Sequence, residues 1–263
     1  MNSKDIKVIF ADIDWTLLNH EDGHVYDNES ILALKKAQEK GVKIVLATSR
    51  PFHSVRDIGA IDLIKADGYI FSNSGYVLFD NKTLYVDSIP ELLIERVVEL
   101  TKDLDCTLEC IQKDHHFIVN PLIPIVDELF KTYYESTPKI EDYHNKDIIA
   151  CLLFLRKEDD EKILPFFPTE LKYYRFTDYA VDIVYNHHEK GDGVKLILEH
   201  LGLTKDNAMA FGDDVADISM FKAVKYSFAM GNGKDEVKDA ASEVIEPVGE
   251  HGVANTLKKY GII

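Results

Sequence analysis

A chain of 263 residues, 46% hydrophobic and 29% charged, is long enough for one large or two modest globular domains with buried cores. Its formal net charge of −16 excludes the basic surface that nucleic acid or an anionic membrane rewards, while leaving room for a small anionic ligand at a locally positive site. No apolar run approaches the ~20 residues of a membrane span, the longest being Ile148 to Leu155. Three cysteines, Cys106, Cys110 and Cys151, without a CxxC pair read as free thiols of a reducing cytoplasm rather than as a zinc site. Met1 to Asp5 lead into the first strand without a signal-peptide pattern.

The first strand begins at Val8 and ends in Asp12-Ile13-Asp14. An apolar run without Gly or Pro reads as buried. If the chain stays extended, side chains at i and i+2 leave on the same side, so Asp12 and Asp14 can face one site. Two like charges that close favour a hard divalent cation with oxygen ligands. Taken alone, the stretch reads equally well as a solvated turn closing a strand.

Asp27 is placed to cap a helix with apolar positions Ile31, Leu34 and Ala37, closed by Gly41. Val42 to Ala47 predicts a second buried strand delivering Thr48-Ser49-Arg50, and Pro51 suits the opening of another helix. Tyr69 to Ser72 predicts a third strand, running into Asn73-Ser74-Gly75. The βαβαβ order implies a parallel sheet with right-handed crossovers.

From Tyr76 the rhythm changes to a hairpin, Tyr76–Phe79 with Leu84–Val86, and then to a helix from Pro90 striped by Leu93, Val97, Leu100 and Leu104. Short strands at 107–111 and 117–119, a helix near 125–134, a strand at 148–155, a charged helix at 158–164 and strands at 172–176 and 181–185 follow. This α+β stretch reads as an inserted domain. His115-His116 lies within it and His187-His188 just after its last strand; adjacent histidines on a strand point to opposite faces, so solvated or lining roles are favoured over metal ligation. The βα rhythm returns at Lys190-Gly191, with a helix to Gly202, a strand at 207–211 opening onto Gly212-Asp213-Asp214-Val215-Ala216-Asp217, a strand at 226–230, a helix, a short strand at 244–245 and a terminal helix closing at Gly261.

Asp12, Thr48 and Asp213 each follow a predicted parallel strand, at the sheet edge where open α/β folds bind ligands. Asp12-x-Asp14-x-Thr16, Thr48 after an apolar strand, Lys190-Gly191 and Gly212-Asp213-x-x-x-Asp217, in that order, resemble the four motifs of haloacid dehalogenase (HAD) superfamily phosphatases. Ala47-Thr48-x-Arg50-Pro51, Asn73, and Ala229-Met230-Gly231-Asn232 narrow the resemblance to the Cof-type (class IIB) group. The resemblance implies an α/β fold, a Rossmann-like parallel-sheet HAD core with an inserted α+β cap domain. It divides the chain into 1–86 and 186–263 as core and 87–185 as cap.

It further implies a Mg²⁺-dependent phosphatase of small phosphorylated metabolites, with sugar phosphates the leading class. In that reading Asp12 is the nucleophile, forming an aspartyl-phosphate, and Asp14 the general acid and base. Thr48, Lys190 and Asn73 bind the phosphoryl group, and Mg²⁺ is held by Asp12, the Asp14 carbonyl and Asp213. Asp217 acts one shell out, orienting metal waters or Lys190. The enzyme is expected to be cytoplasmic and without nucleic-acid or membrane partners, with its oligomeric state open and a monomer favoured. Alternatives are a regulatory protein that binds a phosphorylated ligand with weak turnover, and a phosphomutase.

Four positions depart from the group's pattern: Trp15 where Gly is common, Ser49 and Ser74 for glycines, and Ala216 for the usual Asn. The Trp15 indole is expected to narrow the substrate pocket. The two serines strain the backbone wherever φ must be positive, and Ala216 removes an amide near the metal.

Overall fold

The computed structural model describes residues 3–21, 23–132, 136–143 and 147–263. The chain divides into two compact units, one comprising the residues up to Ser49, Ala60–Leu84 and Glu189–Ile263, the other Arg50–Gly59 and Tyr85–His188.

In chain order the first unit opens with β1 (Val8–Ala11), a small hairpin of β2 (Leu18–Asn19) and β3 (Val25–Tyr26), α1 (Asn28–Glu39) and β4 (Lys43–Ala47). The short helix α2 (Phe52–Asp57) groups with the second unit. The first unit resumes with α3 (Ala60–Ile64), β5 (Gly68–Phe71), β6 (Tyr76–Phe79) and the start of β7 (Lys82–Val86), whose last two residues group with the second unit. The second unit carries α4 (Glu91–Thr101), β8 (Thr107–Ile111), β9 (His116–Ile118), α5 (Pro124–Thr132), β10 (Ala150–Phe154), α6 (Asp160–Ile163), β11 (Leu171–Arg175) and β12 (Ala180–Tyr185). The first unit is completed by α7 (Lys190–His200), β13 (Ala208–Gly212), α8 (Asp217–Ala223), β14 (Tyr226–Met230), α9 (Asp235–Ala240), β15 (Glu243–Ile245) and α10 (Gly252–Lys259).

One sheet of eight strands, in the order β15-β14-β13-β1-β4-β5-β6-β7, forms the first unit. Strands β15 to β5 in that order run parallel, and β6 turns back antiparallel to β5. Its central strands are apolar on both faces, and Val8, Phe10, Val45 and Ile70 pack with Val194, Ile197 and Met220 of α7 and α8. Burial on both faces explains why these strands read as continuous hydrophobic runs. Asp27 caps α1, accepting from the Ser30 N–H at 3.3 Å, and Gly41 follows the helix with φ +87°.

The second unit is built on a separate antiparallel sheet in the order β11-β12-β10-β8-β9. Leu108, Cys110, Phe117, Cys151, Leu153, Val181 and Ile183 form its core with Ile94 and Val97 of α4. All three cysteines are free and buried.

Several boundaries shift from the sequence expectation. The fully buried line of α4 is Ile94, Val97 and Thr101, whereas Leu93, Leu100 and Leu104 are only partly covered and Leu104 lies beyond the helix. α5 ends at Thr132, and the expected continuation over 133–134 falls outside the described residues. The expected helix at 158–164 is split between two 3₁₀ turns and the four-residue α6. The hairpin β2–β3 was not anticipated, because strands of two residues carry no periodicity to read. No helix among the described residues is long and apolar enough to cross a membrane.

Candidate active site

Register brings the chemistry together. Ala11 of β1 lies opposite Phe211 of β13 and Leu46 of β4, so the chain leaves the sheet at Asp12, Asp213 and Thr48 from three adjacent strands. Neighbouring strands are about 4.8 Å apart, which sets the spacing of the groups they carry. The Asp12 N–H continues the ladder by donating to the Phe211 carbonyl at 3.0 Å, and Thr48 N–H donates to the Ile70 carbonyl at 2.9 Å.

Asp12 is buried, with Oδ1 accepting from the Ile13 N–H at 2.8 Å and Oδ2 3.0 Å from Lys190 Nζ. Lys190, only 2% exposed, also donates to Asp217 Oδ1 at 2.7 Å. The second oxygen of Asp217 accepts the N–H groups of Asp213 (2.9 Å) and Asp214 (3.1 Å). Thr16 donates its hydroxyl to Asp213 Oδ1 at 2.9 Å. Carboxylate oxygens of Asp12, Asp213 and Asp217 all lie within 4.8 Å of one another.

Two glycines permit this approach. A Cβ at Gly212 would stand 2.4 Å from the Asp217 carboxyl carbon, and one at Gly191 would stand 2.3 Å from the Ser219 carbonyl oxygen. Gly191 therefore lets the start of α7 close on α8, bringing Lys190 to Asp217.

Asp14 departs from the period-two argument. The strand ends at Ala11, the chain turns, and Asp14 Oδ1 meets Nε2 of His20 at 2.7 Å. His20 was missed by sequence reasoning; it sits just past β2, in the unanticipated hairpin, and no motif marks it. Trp15 has φ +56°, the conformation a glycine would adopt without strain, and its carbonyl accepts from Asn232 Nδ2 at 2.8 Å. Its ring lies 5.1 Å from that of His20.

Asn73 also has a positive φ, its N–H donates to the Thr48 carbonyl at 3.2 Å, and its buried side-chain oxygen lacks a hydrogen-bond partner among the described residues. Ser74, at φ +86°, accepts the Gly193 N–H at 2.9 Å and donates to the Glu189 carbonyl at 2.6 Å. Those two bonds offset the strain of a side chain where glycine is at ease. Ser49 is absent from the positive-φ residues and carries no such strain.

Electrostatics sets the chemical demand. Burial pushes the Asp12 carboxyl up to about 8, reinforced by Asp217 and Asp14 and opposed by Lys190. Burial, together with Asp12 and Asp217, also raises Asp213 well above the carboxylate range. Lys190 is held above the ordinary lysine range: burial works against its charge, but Asp12 and Asp217 outweigh it. Three buried carboxylates face one ammonium, and the ligand atoms they offer are hard oxygens. The donor set fits a divalent cation such as Mg²⁺.

Histidine geometry differs between the two pairs. His115 and His116 turn apart, to Glu141 and to Glu109. His187 and His188 instead converge on Asp87, because β12 ends at Tyr185 and strand alternation no longer applies.

A model of haloacid dehalogenase-like hydrolases matches residues 9–257. The chain belongs to that family. The hydrolase is 30% identical to a 5-amino-6-(5-phospho-D-ribitylamino)uracil phosphatase of Bacillus subtilis, covering 97% of this chain and 96% of the relative. It is 28% identical to the HAD subclass IIB sugar phosphatase BT4131, with a TM-score of 0.84 over 98% of this chain and 100% of the other. A further HAD phosphatase, BT1666 from Bacteroides thetaiotaomicron, is 28% identical with a TM-score of 0.83 over 98% of this chain and 96% of the other. The hydrolase is an enzyme of the HAD phosphatase type, on a parallel-dominated α/β core with a separate antiparallel sheet.

Proposed function

We propose that the hydrolase is a Mg²⁺-dependent phosphatase of small phosphorylated metabolites, with sugar phosphates the leading substrate class. The observation that carries this reading is the buried convergence of Asp12, Lys190, Asp213 and Asp217, with Lys190 Nζ 3.0 Å from Asp12 Oδ2. Two similar proteins named for phosphorylated ribityl and sugar substrates support the substrate class.

Asp12 attacks phosphorus in line and becomes an aspartyl-phosphate as the alkoxide leaves. Its second oxygen is pinned by the Ile13 N–H, which fixes the carboxylate for attack. Asp14, held by His20, gives its proton to the departing alkoxide and then takes one from the water that hydrolyses the intermediate. Lys190, oriented by Asp217, places a fixed positive charge beside the transferring group, while Thr48 and Asn73 offer polar groups to its oxygens. The Asn73 oxygen, without a hydrogen-bond partner among the described residues, suits a donor hydroxyl of the substrate. Asp12, the Asp14 carbonyl and Asp213 would hold Mg²⁺, which when bound neutralises charge on the phosphoryl oxygens. The inserted segment 87–185 is the domain that sets substrate choice.

The test is phosphate release from a panel of phosphorylated metabolites with and without Mg²⁺. Asp12→Asn should abolish release while the circular dichroism spectrum is retained. Release that survives Asp12→Asn, or that ignores chelation of Mg²⁺, would contradict the reading. Tight ligand binding without release would favour a sensor, and migration of phosphate between hydroxyls would favour a mutase.

A further inference from the structure

The second unit contains a side-chain cluster that plays no part in this chemistry. Asp87, two residues after that unit resumes at Tyr85, accepts from His187 Nε2 at 2.7 Å and His188 Nε2 at 3.0 Å on the same oxygen, Oδ2. The three ligand atoms lie within 4.8 Å of one another. The two imidazole planes stand at 89° with centroids 4.9 Å apart, so neighbouring rings aim their Nε2 atoms at a shared point. Tyr185 packs against both, at 4.1 Å from His187 and 5.8 Å from His188, and holds that splay.

His53 and His116 both meet Glu109, but their rings are stacked 3.5 Å apart at 18°, so their nitrogens run side by side. Parallel rings suit hydrogen bonding to one buried carboxylate, whereas perpendicular rings suit adjacent positions around an ion.

We propose that Asp87, His187 and His188 form a binding site for a Zn²⁺-class transition-metal ion, distinct from the carboxylate centre. Two imidazoles and one carboxylate select such an ion over Mg²⁺, which prefers oxygen. The site is walled on one side and open on the other: the side chain of His188 is 2% exposed, that of His187 52%. Water can therefore enter and complete the coordination, as at open zinc sites. Without metal, each ring donates an Nε2 proton to Oδ2; uptake requires both rings neutral with that proton on Nδ1, leaving both Nε2 lone pairs for the ion. The bound ion would join residue 87 to residues 187 and 188, tying the two ends of the second unit's longer segment.

Cobalt provides the probe, since Co²⁺ in such a site absorbs in the visible. The full chain is titrated with Co²⁺ in a large excess of Mg²⁺, which occupies the carboxylate centre, and then chased with Zn²⁺. One equivalent of Co²⁺ should give visible bands that Zn²⁺ removes. His187→Ala, at an exposed position that folding tolerates, should weaken binding at least about tenfold, since even outer-shell partners of a metal site cost that much. Asp87→Asn should act likewise, and His116→Ala should leave the bands intact. Absence of the bands in the unmutated protein, their persistence at full affinity in both Asp87→Asn and His187→Ala, or their loss in His116→Ala alone would overturn the proposal.

Discussion

His20 illustrates how a single side chain shapes the site without any motif announcing it. Its Nε2 meets Asp14 Oδ1, its Nδ1 meets that of His24, and its ring lies against Trp15. In the proposed mechanism Asp14 gives and then recovers a proton, and a carboxyl that swings away cannot do either. His20→Ala should lower kcat by roughly ten- to a hundredfold with KM nearly unchanged, below the ~10²–10⁴ carried by a whole general acid. His20→Gln, which keeps a donor, should recover part of the loss. An equal fall in kcat for both variants would show that the contact does not position Asp14. Trp15 acts on the same turn through its backbone: a positive φ costs about 1–2 kcal/mol for a residue with a side chain, and the Asn232 amide on its carbonyl holds it there.

Among the elements, strand β8 carries the least expected feature, a glutamate on an antiparallel sheet. Glu109 is 1% exposed, and burial alone would raise its pKa; its contacts with His116 at 2.7 Å and His53 at 3.4 Å instead bring it below the ordinary value of 4.5. A carboxyl lowered on folding contributes stability that is present above its unfolded pKa and lost as pH falls through the folded one. Glu109→Gln should therefore destabilise by about 1–3 kcal/mol at neutral pH, and the gap should close as pH falls below 4.5. Denaturant unfolding of both proteins at pH 7 and at pH 4 checks this; a gap that is independent of pH would mean the charge is not what matters. Strand register explains the meeting: Glu109 is opposite Ile118 and His116 opposite Ile111, so the pair is a diagonal on one face. The helices show the converse dependence on small residues, because α7 reaches α8 only where Gly191 has no Cβ to strike the Ser219 carbonyl.

For the molecule as a whole, the carboxylate centre is a site of built-in instability. Asp12 is raised by burial, by Asp217 and by Asp14, and Asp213 by burial, by Asp12 and by Asp217. Mg²⁺ should therefore raise the unfolding midpoint, by mass action worth about 2.7 kcal/mol at a hundredfold excess over Kd. Asp213→Asn should remove most of that rise without preventing folding. A midpoint indifferent to Mg²⁺ in the unmutated chain would show that the cluster does not hold the ion.

Much of the core sheet was legible along the chain. Val8, Val45, Ile70 and Phe211 lie in runs that are apolar at every position, and only burial on both faces produces such runs. The residues that follow those runs, Asp12, Thr48 and Asp213, were therefore legible as neighbours on one edge. Asp217 and Lys190 followed from motif order, but the 2.7 Å bond between them depends on Gly191 and on how two helices pack.

The alternation of strands and helices and the kinds of chemical group at the strand ends were readable along the chain, since both depend on local periodicity and on residue type. Tertiary structure alone decided that Asp14 turns to His20, that Thr16 serves Asp213, and that Asp87 meets His187 and His188 across a hundred residues. Past the end of a strand, a side chain's direction is set by the turn and by what packs against it. Contacts between distant segments carry no local pattern from which they could be read.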